Sequence, residues 1–148
     1  MTERTRDDLR RAAVQAARAW IGTPYQHQAS VLGAGCDCLG LVRGIWRALH
    51  GPEVRAIPAY GPDWSETSGD EALWAALAQH LTPTPDAMQP GQVLLFRMRA
   101  GSVAKHLGIL SDAGASPKFI HAYSGHGVVE SPLSPPWARR VVARFDLS

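Results

Sequence analysis

Apolar residues recur at helical spacing in three segments of the first half of the chain. Residues 7–20 carry apolar side chains on one side and arginines over the rest of the surface. Residues 38–50 follow Asp37, a good N-cap residue, and end at a Gly-Pro pair that stops helices. Residues 70–81 carry a third apolar face. The three patterns predict three amphipathic helices.

The second half of the chain changes to short apolar runs separated by glycine, serine and proline turns, which is typical of strands. Helices followed by strands predict an α+β domain, with N-terminal helices packed on an antiparallel β-sheet. Residues 52–68 have no hydrophobic period and predict a long irregular loop between the second and third helices. The expected strands are residues 92–98, 106–111, 118–121, 127–130 and 138–145.

Composition limits the classes of protein that this chain can represent. Its 148 residues are enough for one domain with a real core, so we take 1–148 as a single domain. A net charge of +2, from 15 basic and 13 acidic residues, is too balanced to predict a nucleic-acid surface. The arginines of the first predicted helix are expected to form a solvated face. No apolar run is long enough to predict membrane insertion.

The N-terminal residues are charged, and no apolar stretch follows them, so no secretory signal peptide is expected. This predicts synthesis in the cytoplasm without a Sec-type export route. The two cysteines do not suggest a disulfide framework, because a Cys36–Cys38 bridge would close a very small, strained ring.

Cys38 is the candidate for chemistry, because it follows Asp37 at the start of the second predicted helix. A thiol there meets the positive end of the helix dipole and unpaired backbone N–H groups. Both favour the thiolate, so the sequence predicts a lowered pKa and an activated nucleophile.

A cysteine nucleophile needs a base, and a third group usually orients that base. Of the six histidines, His106 opens one predicted strand and His121 closes the next. The two could lie on adjacent strands of one sheet, where a helix packed on that sheet could bring Cys38 to them. His106 would then be the base, held by His121 through its other ring nitrogen.

The order of these motifs resembles the NlpC-type cell-wall peptidases, a branch of the papain-like cysteine peptidases. The resemblance covers most of the chain from about residue 10 to residue 145. The matching stretches are residues 22–25, 37–42, 90–96, 106–109 and 120–122.

The resemblance implies a papain-like NlpC-type fold and a role for each matching residue. Cys38 would be the nucleophile, His106 the general base and His121 the residue that orients the base. Tyr25 matches a tyrosine whose hydroxyl helps to hold the oxyanion, together with the backbone N–H of Cys38. Asp37 belongs with Tyr25 among the expected oxyanion and substrate residues. No metal and no organic cofactor are expected.

The implied reaction is hydrolysis of peptidoglycan stem peptides, usually at the bond from D-γ-glutamate to a diamino acid. Leu39, the long 52–68 segment and residues 139–142 look most like a subgroup encoded with phage tail or gene-transfer-agent genes. The expected partners are therefore peptidoglycan and phage-like tail or baseplate proteins. The expected place is the tail of a phage-like particle (a virion component) acting in the periplasm or cell wall.

Three departures from the family pattern concern the walls of the substrate site. Residues 26–28 read Gln-His-Gln instead of a Trp-Gly-Gly-like run, Leu39 stands where serine is frequent, and Gln92 replaces an aspartate.

Three alternatives stay open. Cys36, Cys38, His106 and His121 are competent zinc ligands, although Cys-x-Cys is not the usual spacing. A structural tail protein could keep the fold without the activity. An acyltransferase or amidase could use the same three residues with a different acceptor.

Overall fold

The computed structural model describes residues 3–52 and 71–148 of the chain. The long loop predicted over 52–68 therefore lies, except for its first residue, outside the described residues. The helices are α1 (Glu3–Ala19), α2 (Cys38–His50), α3 (Ala72–His80) and α4 (Pro135–Ala138). The strands are β1 (Ser30–Val31), β2 (Gly35–Cys36), β3 (Thr82–Pro83), β4 (Val93–Phe96), β5 (His106–Asp112), β6 (Lys118–Tyr123), β7 (Gly127–Pro132) and β8 (Val141–Asp146).

Six strands form one antiparallel sheet in the order β3-β8-β4-β5-β6-β7. The predicted α+β class with an antiparallel sheet is therefore confirmed. The central strands β4, β5 and β6 are almost continuously apolar and buried, because both faces of the sheet are covered. A register shift between Leu110 and Asp112 lies at the far end of β5 from His106.

The pattern missed the smaller elements. Strands β1 and β2 form a short hairpin within the segment that was predicted as a loop, and β3 follows α3 where a break was expected. Helix α1 begins at Glu3 rather than near residue 7, and α4 precedes a last strand that starts at Val141 rather than 138. Strands β1, β2 and β3 and helix α4 have only two to four residues, too few to show a hydrophobic period. The starts of α1 and β8 are element boundaries, which a hydrophobic pattern does not define to the residue.

The core has two parts, one on each face of the sheet. The larger part packs α1, α2 and α3 against one face, with Leu41, Ile45 and Leu107 among its fully buried side chains. The smaller part lies on the other face and is built on Phe96 and Phe119, with Trp137 of α4 packed against it. Successive side chains along a strand point to opposite faces of the sheet, so neighbouring residues of one strand belong to different parts of the core.

One member of the arginine cluster is not solvated. Arg10 is 8% exposed and its guanidinium binds both carboxylate oxygens of Asp146 on β8, at 2.8 and 3.0 Å. It also bonds Asp86 at 3.0 Å. The expected solvated face is therefore wrong for Arg10, because a partner 136 residues away leaves no trace in the helical pattern.

No helix among the described residues is both long and apolar enough to cross a membrane.

Candidate active site

The start of α2 is fixed by the cap that the sequence predicted. The Asp37 carboxylate, 2% exposed, accepts hydrogen bonds from the backbone N–H of Gly40 at 2.8 Å and of Gln28 at 2.7 Å. Gly40 is required here, because a Cβ atom would lie 1.9 Å from the carbonyl oxygen of Ala29. The Asp37 side chain thus holds the loop before the β1–β2 hairpin against the start of α2, where Cys38 lies.

The Cys38 thiol lies against the first residues of β5. Its sulfur donates a hydrogen bond to the carbonyl oxygen of Lys105, 3.6 Å away. The backbone N–H of Leu107, on the other side of His106, also acts on the sulfur and favours its charged form. The nucleophile candidate therefore touches the main chain immediately before and after the predicted base.

The pKa of Cys38 is not lowered, contrary to the sequence expectation. Burial raises it to about 12, and the Asp37 charge adds to the rise, whereas the backbone N–H groups of Leu107, Leu39 and Cys38 itself lower it by less. The free-energy cost of removing a thiolate from water is larger than the stabilisation that the helix N-terminus gives it. The resting group is a neutral thiol.

His106 and His121 lie on neighbouring strands and are in direct contact. The Nε2 atom of His106 is 2.7 Å from the Nδ1 atom of His121. Both rings are on the face of the sheet that carries Phe96 and Phe119, whereas α2 and Cys38 pack on the opposite face. Because His106 is the first residue of β5, the two faces meet at the end of that strand.

Both imidazoles are held neutral. Burial lowers the pKa of His106 to about 3, and the repulsion that arises when His121 is also protonated acts in the same direction. Burial also lowers the pKa of His121, to about 4, with a smaller effect from His126. Trp137 excludes water from this side, with its ring centroid 5.7 Å from that of His106 and 5.3 Å from that of His121.

Tyr25 lies close to the Cys38 thiol, in the loop that the sequence singled out. It forms a parallel bridge with Cys36, and the backbone N–H of Cys36 donates to the Pro24 carbonyl at 3.0 Å. Burial raises the pKa of Tyr25 to about 12, and the charge of the Asp37 carboxylate acts in the same direction. Tyr25 is 37% exposed, so its protonated hydroxyl can donate a hydrogen bond to a bound molecule.

The structure thus joins His106 to His121 and sets Cys38 and Tyr25 next to one another. The roles assigned to these residues stay predictions. Asp37 has its carboxylate engaged with the loop and helix backbone, so its contacts are those of a positioning group.

Within residues 3–52 and 71–148, no group of three or more His, Cys, Asp and Glu side chains is arranged to hold a metal ion. Cys36 is fully buried within the helix-side core, and burial raises its pKa to about 11.

Sequence reasoning missed two residues of this site. Ser131 on β7 has its Oγ atom 2.9 Å from Nε2 of His121. Trp137 covers both histidines from α4. A serine at a strand end and a tryptophan after two prolines carry no local signal. The pairing of β6 with β7 brings Ser131 to His121, and the packing of α4 against the sheet brings Trp137 to both histidines.

The helices, the antiparallel sheet and a cysteine at a helix start define a papain-like α+β domain. A family model described as the NlpC/P60 family matches residues 22–145. The chain belongs to the NlpC/P60 family, whose members are cysteine hydrolases. This confirms the resemblance drawn from the motifs.

The chain is also similar to a protein of Bacillus subtilis (strain 168) named gamma-DL-glutamyl hydrolase. The two are 30% identical over 136 residues, which are 90% of this chain and 29% of that protein. The chain therefore spans less than a third of the length of this relative.

Proposed function

We propose that this chain is a thiol endopeptidase that hydrolyses bacterial peptidoglycan stem peptides, at the bond from D-γ-glutamate to a diamino acid. The observation that carries the proposal is the Cys38 thiol, which touches the main chain on both sides of a histidine bonded to a second histidine. Membership of a family of cysteine hydrolases and similarity to a gamma-DL-glutamyl hydrolase support it.

The first half of the reaction is acylation of the thiol. The Nε2 atom of His106 faces His121, which leaves Nδ1 as the ring nitrogen that takes the Cys38 proton. The sulfur bonds to the carbonyl carbon of the substrate amide. The carbonyl oxygen becomes an oxyanion, which accepts hydrogen bonds from the Tyr25 hydroxyl and the backbone N–H of Cys38. The carbon–nitrogen bond then breaks, and the leaving amine takes the proton from His106.

The second half is hydrolysis of the thioester. Water gives a proton to Nδ1 of His106 and adds its oxygen to the acyl carbon. The carbon–sulfur bond breaks, the sulfur recovers the proton, and the product leaves as a carboxylic acid. Every proton that leaves the sulfur or the water passes through one ring nitrogen.

In the resting site the Cys38 thiol and the His106 imidazole are both neutral, and this determines how the proton moves between them. The thiol proton points to the Lys105 carbonyl, so it must turn to His106 as the substrate enters. A high pKa of the thiol and a low pKa of the imidazole favour proton transfer in concert with attack over a preformed ion pair.

We further propose that a phage-like tail or baseplate delivers the domain, which then acts in the periplasm or cell wall. The similarity of Leu39 and of residues 139–142 to the phage-type subgroup supports this. A second candidate function is a non-catalytic component of the same tail tip. The neutral thiol bound to a main-chain carbonyl is the observation that favours it.

The test is digestion of purified Gram-negative peptidoglycan by the wild type, Cys38→Ala and Cys36→Ala, with products identified by mass spectrometry. A parallel reaction uses a γ-linked DL-glutamate polymer. We expect new stem-peptide fragments from the wild type and Cys36→Ala and none from Cys38→Ala. Cys36→Ala is the matched control, because it removes a buried thiol two residues away.

The other outcomes separate the alternatives. Fragments from all three proteins would mean that Cys38 is not the nucleophile. No fragments from any would favour the non-catalytic tail component. Cleavage of the glutamate polymer alone would move the substrate away from the cell wall.

A further inference from the structure

Three polar side chains lie in a row across β5, β6 and β7. His106 Nε2 is 2.7 Å from His121 Nδ1, and His121 Nε2 is 2.9 Å from the Oγ of Ser131. The row begins beside Cys38 and ends at a hydroxyl that the proposed reaction does not use. Each histidine is therefore bonded through a ring nitrogen whose protonation depends on its neighbour.

Only one arrangement of protons lets His106 act as a base at Nδ1. A neutral imidazole carries one proton, so His106 must carry it on Nε2 and donate it to Nδ1 of His121. His121 must then carry its own proton on Nε2, where Ser131 Oγ is the acceptor. If the proton of His121 were on Nδ1, His106 would be protonated on Nδ1 and could not accept the thiol proton.

We propose that Ser131 is a positioning residue, which holds the proton of His121 on Nε2 and so keeps Nδ1 of His106 unprotonated. The inference rests on the proposed function for the role of His106 as base. Ser131 acts through two histidines and does not contact the substrate.

The sheet fixes Ser131 for this role. In the antiparallel register Ser131 lies opposite Phe119, which makes His121 its diagonal neighbour on the same face. After the strand, the backbone N–H of Leu133 donates to the Pro117 carbonyl at 2.8 Å and closes the end of β7. Trp137 packs edge-on against His121, with 5.3 Å between ring centroids, which limits the room for a water to replace the hydroxyl.

The chain offers a matched control for the loss of a hydroxyl. Ser111 on β5 is buried and donates through Oγ to the Glu130 carboxylate at 2.6 Å. Ser111→Ala therefore removes a side-chain hydrogen bond to the same strand, β7, without touching a histidine. Ser131→Thr keeps the hydroxyl and is the rescue variant for Ser131→Ala.

The first measurement is ¹⁵N NMR of the histidine ring nitrogens at pH 7, assigned with His106→Gln and His121→Gln. In the wild type and in Ser111→Ala we expect both histidines in the Nε2-protonated form. In Ser131→Ala we expect a mixture of the two tautomers at both rings. A wild-type His121 protonated on Nδ1 would overturn the proposal without any variant, as would unchanged tautomers in Ser131→Ala. The spectra need no substrate, so they decide this point even if peptidoglycan is not cleaved.

The second measurement is the rate of stem-peptide cleavage. A neutral hydrogen bond of ordinary strength predicts that Ser131→Ala lowers kcat about five- to tenfold and leaves KM unchanged. Ser131→Thr should recover most of the rate, and Ser111→Ala should keep it. Equal losses of kcat in Ser131→Ala and Ser111→Ala would reduce Ser131 to a structural residue and refute the proposal.

Discussion

The ion pair between Arg10 and Asp146 should be the most sensitive polar contact in the fold. It joins α1 to β8, and β8 pairs with β4, which in turn pairs with the strand that carries His106. The guanidinium binds both oxygens of Asp146, whose residue is 7% exposed. Arg10→Ala leaves that carboxylate without its cation in a buried place.

The size of the effect follows from burial. Breaking a buried pair by removing one partner costs about 3–5 kcal/mol, whereas removing an exposed partner costs at most about 1 kcal/mol. A domain has roughly 5–15 kcal/mol of unfolding free energy in total, so the variant should lose a large share of it. At about 2–4 °C per kcal/mol, the Tm should fall by about 6–20 °C.

The assay is urea unfolding followed by tryptophan fluorescence, together with thermal unfolding. Arg11→Ala is the control, since Arg11 is the next residue of the same helix and its exposed side chain pairs with the nearby, exposed Asp8. Its cost should stay within about 0.5 kcal/mol. The double variant Arg10→Met/Asp146→Leu should recover much of the loss, because it removes both buried charges. A cost below about 1 kcal/mol for Arg10→Ala would refute the reasoning.

Two further predictions concern the site. The folded-state pKa values of His106 (about 3) and His121 (about 4) lie below the ordinary value near 6.5, so between pH 6.5 and 4 the unfolded chain binds protons that the folded chain does not. The unfolding free energy should therefore fall as the pH falls, by up to about 1.4 kcal/mol per pH unit for each histidine. Urea titrations at pH 7 and pH 5 measure this slope; a slope unchanged in His121→Gln would contradict it. Gly40→Ala should impair cleavage, because the new methyl group meets the carbonyl oxygen of Ala29 and must displace either the loop or the start of α2 that carries Cys38. Overpacking predicts a loss of about 1–3 kcal/mol in stability, and a variant with unchanged kcat would show that the helix start tolerates the shift.

Local signals in the sequence predicted the parts of the site that depend on local structure. The cap of α2 is formed by Asp37 and the N–H of Gly40 three residues later, so a few neighbouring residues determine where this helix begins. The strands of His106 and His121 were visible as apolar runs, and their neighbouring positions in the sheet follow from a short connection.

The remaining features depend on contacts between distant residues. Ser131 reaches His121 only through the register of β6 and β7, and Arg10 meets Asp146 only after the sheet has formed. The pKa of Cys38 was predicted in the wrong direction for the same reason. A helix start is a local feature, whereas the burial that raises the pKa to about 12 comes from packing against β5.

Cys38 and the two histidines belong to opposite faces of one sheet, and this has a consequence for how such a domain can vary. Substitutions among the side chains beneath α2 shift the sulfur, and substitutions around Phe119 and Trp137 shift the imidazoles. The two sets form separate clusters on opposite faces of the same strands, β4, β5 and β6, so the reactivity of the thiol and the basicity of the imidazoles can be altered separately. A deep mutational scan of this protein should sort damaging core variants into two groups with different pH profiles, divided by the plane of the sheet.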